Sequence, residues 1–383
     1  MSIDLTGISN ENEFYTQHYL SAVLENDLRD LFKEWKRQAD EEGQPTPRSL
    51  LAALSRRYFR LKNLLSREKD PGTRQKAQED FLEKLLNALG YEFLPSICEG
   101  RDGEFLPVAA DIRRDSGVPE LWVLPVLPNP GEEDLDPMEL APLPGQFPQG
   151  SDLADTVGIP WQTVLTGSIF AREEPPRWVL VASFSQLILV DRGKWAQKRI
   201  LRFDLNEILD RREDSTLKAV AALLHRESVC PEDGLPLLDT LEENSHKHAY
   251  SVSEDLKYAL RESIELLGNE AVRYLNEKRR KGIYSGEEKI DPAQLSRECL
   301  RYMYRLMFLF YIESRPDLGY APMQSDAYRS GYSLESLRDL EMVPLTTPES
   351  MEKYFIHDSL QILFDLVYNG YPPARNSREQ QKS

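Results

Sequence analysis

The stretch ELWVLPVLP, residues 120–128, decides how this chain is read. It is an apolar run with strand propensity, opened by the acid Glu120. Nine residues upstream, Asp111 stands in LPVAADIRRDSG. An aspartate, a short gap and an acid leading into an apolar strand is the order in which nucleases of the PD-(D/E)xK type hold Mg²⁺. Those enzymes place a lysine two residues after the second acid, where it positions or activates the attacking water. Here that position is Trp122. Asp111 and Glu120 are therefore the candidate catalytic and metal-binding pair, with Mg²⁺ as the ion if the module is active. The competing and preferred reading makes them ordinary turn acids at strand ends. Lys84, on the helix expected ahead of the strands with Glu79 and Glu83, is the nearest substitute lysine in chain order. Pro125 is expected to disrupt a central strand, because it has no N–H to donate.

Working outward, YEFLPSICE and EFLPVAADI read as short strands before this one, and RWVLVASFS and QLILVDRGKW as strands after it. The turn between the last two is short, which predicts an antiparallel hairpin. Residues 129–160, rich in proline, glycine and acid, read as a long loop. Upstream, apolar spacing predicts a helix over Glu11–Lys36, capped by Asn10 or Asn12, with His18 on its buried face. EEGQPTP breaks it. A second helix is expected over Arg48–Ser66, then a turn at Asp70-Pro71-Gly72, then a third helix to Leu89 with Gly90 as its C-cap.

From Asp204 the chain reads as helical. SVSEDLKYALRESIELLGNEAVRYLNEKRRKG predicts a long helix capped by Ser253, whole or broken near Gly268. Its basic end, Lys278 to Lys281, suits the C-terminal dipole. His246 and His248 read as solvent-facing residues ahead of it. Asp291-Pro292 opens a further helix to about Glu313. The expected class is α+β: N-terminal helices with a small nuclease-like mixed α/β module, followed by a mainly α-helical connector domain. The expected segments are 1–70 helical, 71–205 nuclease-like with the 129–160 loop, 206–373 connector and 374–383 polar tail.

Composition narrows function. The 383 residues carry 47 Lys plus Arg against 64 Asp plus Glu, so 47 − 64 = −17. That argues against a free-standing, non-specific nucleic-acid binder and leaves room for a local basic face. Three such faces are candidates: SRRYFRLKNLL, RGKWAQKRILR and EKRRKG. Within the second, Arg192, Lys194, Trp195, Lys198 and Arg199 combine phosphate-binding cations with a stacking ring. The three cysteines, Cys98, Cys230 and Cys299, form no Cys-x-x-Cys pair, so neither a zinc site nor a disulfide framework is indicated. No phosphate-binding glycine loop and no Gly-x-Ser-x-Gly elbow occurs. The polar N-terminus and the shortness of the apolar run Tyr302–Ile312 predict a cytoplasmic protein without a membrane partner.

Five phrases in order, NEFYTQHYL (12–20), RWVLVASFSQLILVDRGKW (177–195), LLDTLEENSHKHAYSVSEDLKYALRESIELLGNEAV (237–272), LRYMYRLMFLFYIESRPDLGY (300–320) and GYSLESLRDLE (331–341), carry a resemblance. Together they resemble the N-terminal portion of large adenine-specific DNA methyltransferases of the type IIG restriction–modification and DISARM phage-defence kind. The resemblance implies a nuclease-like module joined to a helical connector, ahead of an S-adenosylmethionine-dependent domain. The family's activity is site-specific adenine-N6 methylation of DNA, with or without an endonuclease. Its methylase carries a glycine-rich cofactor loop and an Asn-Pro-Pro-Tyr-type motif that holds the flipped adenine. Neither is present: Asn129-Pro130 continues with Gly131, and Tyr371-Pro372-Pro373 has the wrong order. The implied role is a scaffold that holds no cofactor itself, with double-stranded DNA and a separate methylase chain or other defence-system subunits as partners. The family's nuclease lysine is replaced by Trp122.

Overall fold

The computed structural model describes residues 3–114, 116–148, 156–279, 282, 289–344, 346–347 and 353–370. The middle of the expected 129–160 loop, the end of the expected basic helix terminus (Arg280 and Lys281), Tyr371-Pro372-Pro373 and the expected polar tail lie outside them. The chain divides into two compact units, Met1–Val252 and Ser253–Ser383.

The first unit is organised by strands β1 (Ile8–Glu11), β2 (Ser96–Glu99), β3 (Phe105–Val108), β4 (Ala110–Arg113), β5 (Pro119–Val126), β6 (Trp178–Ser183), β7 (Gln186–Asp191) and β8 (Ile200–Asp204). Six of them form a mixed sheet in the order β1-β8-β7-β6-β5-β4, while β2 and β3 pair separately. Only β5 and β6 run parallel, in register from Leu121↔Trp178 to Val126↔Ser183. Parallel neighbours need a long crossover, and residues 127–177 supply it. The β6–β7 pair is the antiparallel hairpin that its sequence predicts.

Every residue of β5 and β6 is buried, because both faces of the sheet are covered. On one face Leu121, Val123, Leu180 and Leu189 pack with the helices Pro47–Leu65, Pro71–Ala88 and Asp214–Leu224. On the other, Trp122, Leu124, Val179 and Val181 pack with Trp161, Leu165 and Ile169 of the crossover. The described part of the crossover thus forms a covering layer, with Met138, Leu140 and Phe147 also buried. Fully burying one such side chain stabilises the fold by roughly 1.5–3 kcal/mol.

Pro125 does not break β5. The β4 partner ends at Ala110↔Val123, so Pro125 lies beyond it, where no neighbour on that side needs its N–H. Its carbonyl accepts from Gln146 Nε2 at 2.9 Å.

Other expectations shift with tertiary context. The N-terminal helix does not start at Glu11: residues 8–11 join the sheet edge beside β8, and the regular helix spans Arg29–Glu42. Asn10 caps nothing helical; its side chain bridges the N–H and carbonyl of Tyr15. Asn12 adopts a left-handed turn, and His18 is exposed rather than buried. Thr46 and Asp70 cap the next two helices, each followed by proline. Gly90 (φ +79°) ends the second of these, where a Cβ would meet His225 Nε2 at 2.8 Å. Helices Leu205–Arg211 and Asp214–Leu224, expected in the connector, share the core of the first unit.

The predicted Ser253 cap is inside a helix, since Leu237–Glu277 is continuous. Leu238 and Leu241 are buried in the first core, which starts this helix upstream of the cap signal and makes His246 and His248 helical. In the second unit, Asp291 caps Pro292–Ser314 as its Asp-Pro signal predicts. A small core of Leu309, Ile312, Leu334, Leu360 and Leu363 joins it to helix Phe355–Asn369. The buried carboxylate of Glu313 accepts from the Leu334 N–H at 3.0 Å and the Tyr328 hydroxyl at 2.9 Å. No helix among the described residues is long and apolar enough to cross a membrane.

Candidate functional site

The β4–β5 hairpin places Asp111 directly across from Trp122. The indole Nε1–H donates to Asp111 Oδ1 at 2.9 Å, and Arg113 Nε donates to Oδ2 at 2.8 Å. The residue standing where a nuclease has its lysine thus serves as a donor to the aspartate itself. Beside it, burial and the Asp111 charge raise the Cys98 thiol pKa, so that cysteine remains a protonated, unreactive group.

Glu120 has a different environment. The β4–β5 register shifts between Ile112 and Arg113, so Leu121 pairs with Ile112, Pro119 with Arg113, and Glu120 is left at the irregularity. Its carboxylate is 8% exposed and ion-paired with Arg114. Asp111 and Glu120 therefore each hold their own arginine. Among the described residues no group of three or more His, Cys, Asp and Glu could hold a metal ion. Lys84 is exposed and paired with its neighbour Glu83, and Glu79 accepts from Gln75. This set offers charge pairs at strand ends and no positioned nucleophile.

The Arg192–Arg199 stretch is divided: Lys194 and Trp195 are buried, while Arg192 and Lys198 are exposed. Asp191 caps the single turn Arg192–Trp195 by accepting from the Gly193 N–H at 2.7 Å. That turn points Lys194 inward. Its Nζ lies 3.9 Å from the Phe14 ring centre, donates to the Phe14 carbonyl at 3.1 Å and pairs with Glu242 at 3.1 Å. Burial lowers the Lys194 pKa, and Glu242 opposes the shift. Trp195 is also buried, donating to Thr166 Oγ1 at 3.0 Å, and Lys198 Nζ covers its ring at 3.9 Å. Arg192 is exposed and reaches the Pro175 carbonyl, and Arg199 is partly exposed. Cations and ring are together here, but two of the five residues face the core.

The first of the three candidate basic stretches, SRRYFRLKNLL, lies on helix Pro47–Leu65. Leu54, Tyr58, Leu61 and Leu65 are buried along one side. Arg56, Arg57 and Arg60 are exposed on the other, with Arg67 just past the helix end. None of these four side chains has a hydrogen-bond or ion-pair partner among the described residues. Tyr58 is core and Phe59 is partly buried against it, so neither aromatic of SRRYFRLKNLL is a free stacking platform. The available signal was the 3.6-residue period, which separates the apolar positions from the arginines. Comparison with protein-family models, with curated proteins and with solved structures gave no match.

Proposed function

We propose that the chain is the DNA-associated scaffold of a DNA-modification system of the phage-defence kind, corresponding to the N-terminal part of an adenine-specific methyltransferase. In this reading it holds duplex DNA without cutting it. A separate chain supplies the methylase and its S-adenosylmethionine site. The observation that carries the reading is the row Arg56, Arg57, Arg60 and Arg67: exposed, and without an ion-pair partner among the described residues, in a chain of net charge −17. Four guanidinium groups without carboxylate partners are suited to phosphate contact, which positions a protein on DNA without reading sequence. The arginine-paired Asp111 and Glu120 support the absence of cleavage, since a hydrolytic metal needs free carboxylates and a positioned nucleophile.

The test is duplex binding followed by fluorescence anisotropy over a range of NaCl concentrations. Wild type is expected to bind weakly, with affinity falling steeply as salt rises. Neutralising all four arginines to Gln should abolish binding or lower the log–log salt slope by about 3–4, since each phosphate contact contributes about 0.9. Lys198→Gln with Arg199→Gln should change it little. The opposite pattern would place DNA on the Arg192–Arg199 stretch, and no binding by wild type would end the proposal.

A second reading, a protein-interaction module, is favoured by one observation in the second unit. Tyr304, Phe308 and Tyr311 on helix Pro292–Ser314 are 70%, 48% and 53% exposed. Aromatics exposed in this number mark a surface suited to a protein partner.

A further inference from the structure

The first unit contains a cleft of about 540 Å³ bounded by helix Arg29–Glu42, the start of helix Pro47–Leu65 and helix Asp214–Leu224. We infer that this cleft is a binding site for a free nucleotide, a nucleoside di- or triphosphate. The inference is independent of the DNA-scaffold reading, because it concerns other residues and another class of ligand.

Three features define the ligand. The first is charge. The walls carry Arg29, Lys33, Lys36, Arg48 and Lys218 against the acids Glu25 and Asp214. Asp214 is shared between Arg48 and Lys218, and Lys33 also meets the exposed Asp30 at 2.8 Å. Arg29 and Lys36 have no carboxylate pair among the described residues. The same helix uses Glu34 and Glu41 to pair Arg37 on its outer side, and neither of these acids lines the cleft. Spacings of four and three residues put Arg29, Lys33 and Lys36 on one helical face. An unbalanced cationic concavity in a chain of net charge −17 selects an anion.

The second feature is aromatic lining. Phe32 and Trp35, with ring centres 6.1 Å apart, are half-buried in the wall beside the cations. An aromatic wall next to a phosphate-binding row suits a base joined to phosphates, because stacking accepts any base and the cations take the charge. The third is an unfilled donor. Arg48 Nε is buried and has no acceptor among the protein's described groups. A buried donor left without a partner is costly, and a small shift of the Arg48 side chain toward the cleft would bring it to a ligand oxygen. The volume lies within the usual range of small-ligand sites, about 300–1,000 Å³.

The experiment is calorimetric titration of the full chain with ATP, tripolyphosphate and adenosine, at low salt and without added metal. ATP is expected to bind at least tenfold more tightly than either half of its structure. Arg29→Ala with Lys36→Ala should weaken ATP at least tenfold. Both residues are exposed, so folding should be retained, and circular dichroism checks this. Trp35→Phe should retain ATP binding and Trp35→Leu should bring it toward the tripolyphosphate level. Equal binding of ATP and tripolyphosphate would overturn the nucleotide assignment. No ATP binding, or binding unchanged in the double variant, would overturn the site. Binding of a single-stranded oligonucleotide in preference to ATP would also overturn it. The Arg56/Arg57/Arg60/Arg67 variant should bind ATP as wild type does, which keeps this test separate from that of the DNA scaffold.

Discussion

Two sets of cations in the first unit have opposite fates. At the ends of the sheet strands, Arg113, Arg114 and Lys194 each hold an acid: Asp111, Glu120 and Glu242. On helix Pro47–Leu65, Arg56, Arg57 and Arg60 hold none among the described residues. The difference follows from burial. Glu120 and Lys194 are both 8% exposed, and a charge removed from water must be paired or neutralised. The helix arginines remain in water and need no internal partner. In this chain a cation near an aromatic is therefore a structural element when it follows a capped turn into the core, and, on the proposed function, an interaction element when the helical period keeps it outside. Stability should respond to the first set and polyanion affinity to the second.

The largest effect is expected at Lys194. Lys194→Ala removes the partner of Glu242, the donor to the Phe14 carbonyl and the cation over the Phe14 ring. Truncating a buried long side chain costs about 2–5 kcal/mol, to which the lost pairing of the partly exposed Glu242 adds little, and urea unfolding should read the loss. Lys194→Met, which keeps the stem and its packing, should lose less. A Lys194→Ala chain as stable as wild type but deficient in DNA binding would reverse the assignment of the two sets.

A second effect of similar kind comes from His225, which stands over Gly90 and accepts from the Glu227 N–H. Burial, and then Arg226, lowers its pKa from 6.5 to about 4. Between those pH values the unfolded chain binds a proton that the folded chain refuses. The stability due to the neutral imidazole is therefore complete above pH 6.5 and is lost as pH falls toward 4. The loss amounts to about 3 kcal/mol, from about 1.4 kcal/mol per pKa unit. The difference in unfolding free energy between wild type and His225→Gln should shift by that amount across the window and stay flat above it. A constant difference would show that the imidazole does not feel the interior.

A smaller effect is expected at the strand-end acids. Arg114→Ala leaves the carboxylate of Glu120 in a nearly buried place without its partner. Because Arg114 is itself largely exposed and water can reach the pair, the loss should be about 1–2 kcal/mol. Freeing both acids with Arg113→Ala and Arg114→Ala should still give no Mn²⁺ binding by calorimetry, since the two carboxylates have separate surroundings. Stoichiometric Mn²⁺ uptake by that variant would show a metal site held closed by arginine.

The strands were legible because their signal is local. Apolar runs, the tight β6–β7 connection and the proline-led helix starts at Pro47, Pro71 and Pro292 all appear in the structure near their expected places. What was not legible depended on partners distant in the chain. Ile8–Glu11 becomes a strand only because β8, nearly two hundred residues later, offers an edge. Leu237 to Val252 becomes helix ahead of its Ser253 signal because Leu238 and Leu241 find a core. The same limit applies to the site. Local composition shows Lys194 beside Trp195 but not that Phe14 and Glu242 enclose the amine. It shows arginines in SRRYFRLKNLL but not that they form no ion pair among the described residues.

The smallest stability effect, and the closing test of the comparison, is expected on the arginine face. Replacing Arg56, Arg57, Arg60 and Arg67 with Gln takes the net charge from −17 to −17 − 4 = −21. Gln keeps much of the stem and a good helix propensity, so neither packing nor the helix backbone loses much. No ion pair is broken, since none is formed among the described residues. Surface substitutions of this kind change stability by less than about 0.5 kcal/mol each. The added self-repulsion of an already acidic chain acts in the destabilising direction and weakens with salt. A thermal melt at 0.15 M NaCl should therefore move by no more than about 4–8 °C, the shift that about 2 kcal/mol, four times about 0.5, produces in a unit of this size. A larger fall would mean that these arginines stabilise the fold through contacts of their own, and the division between structural and interaction cations would fail where it matters most.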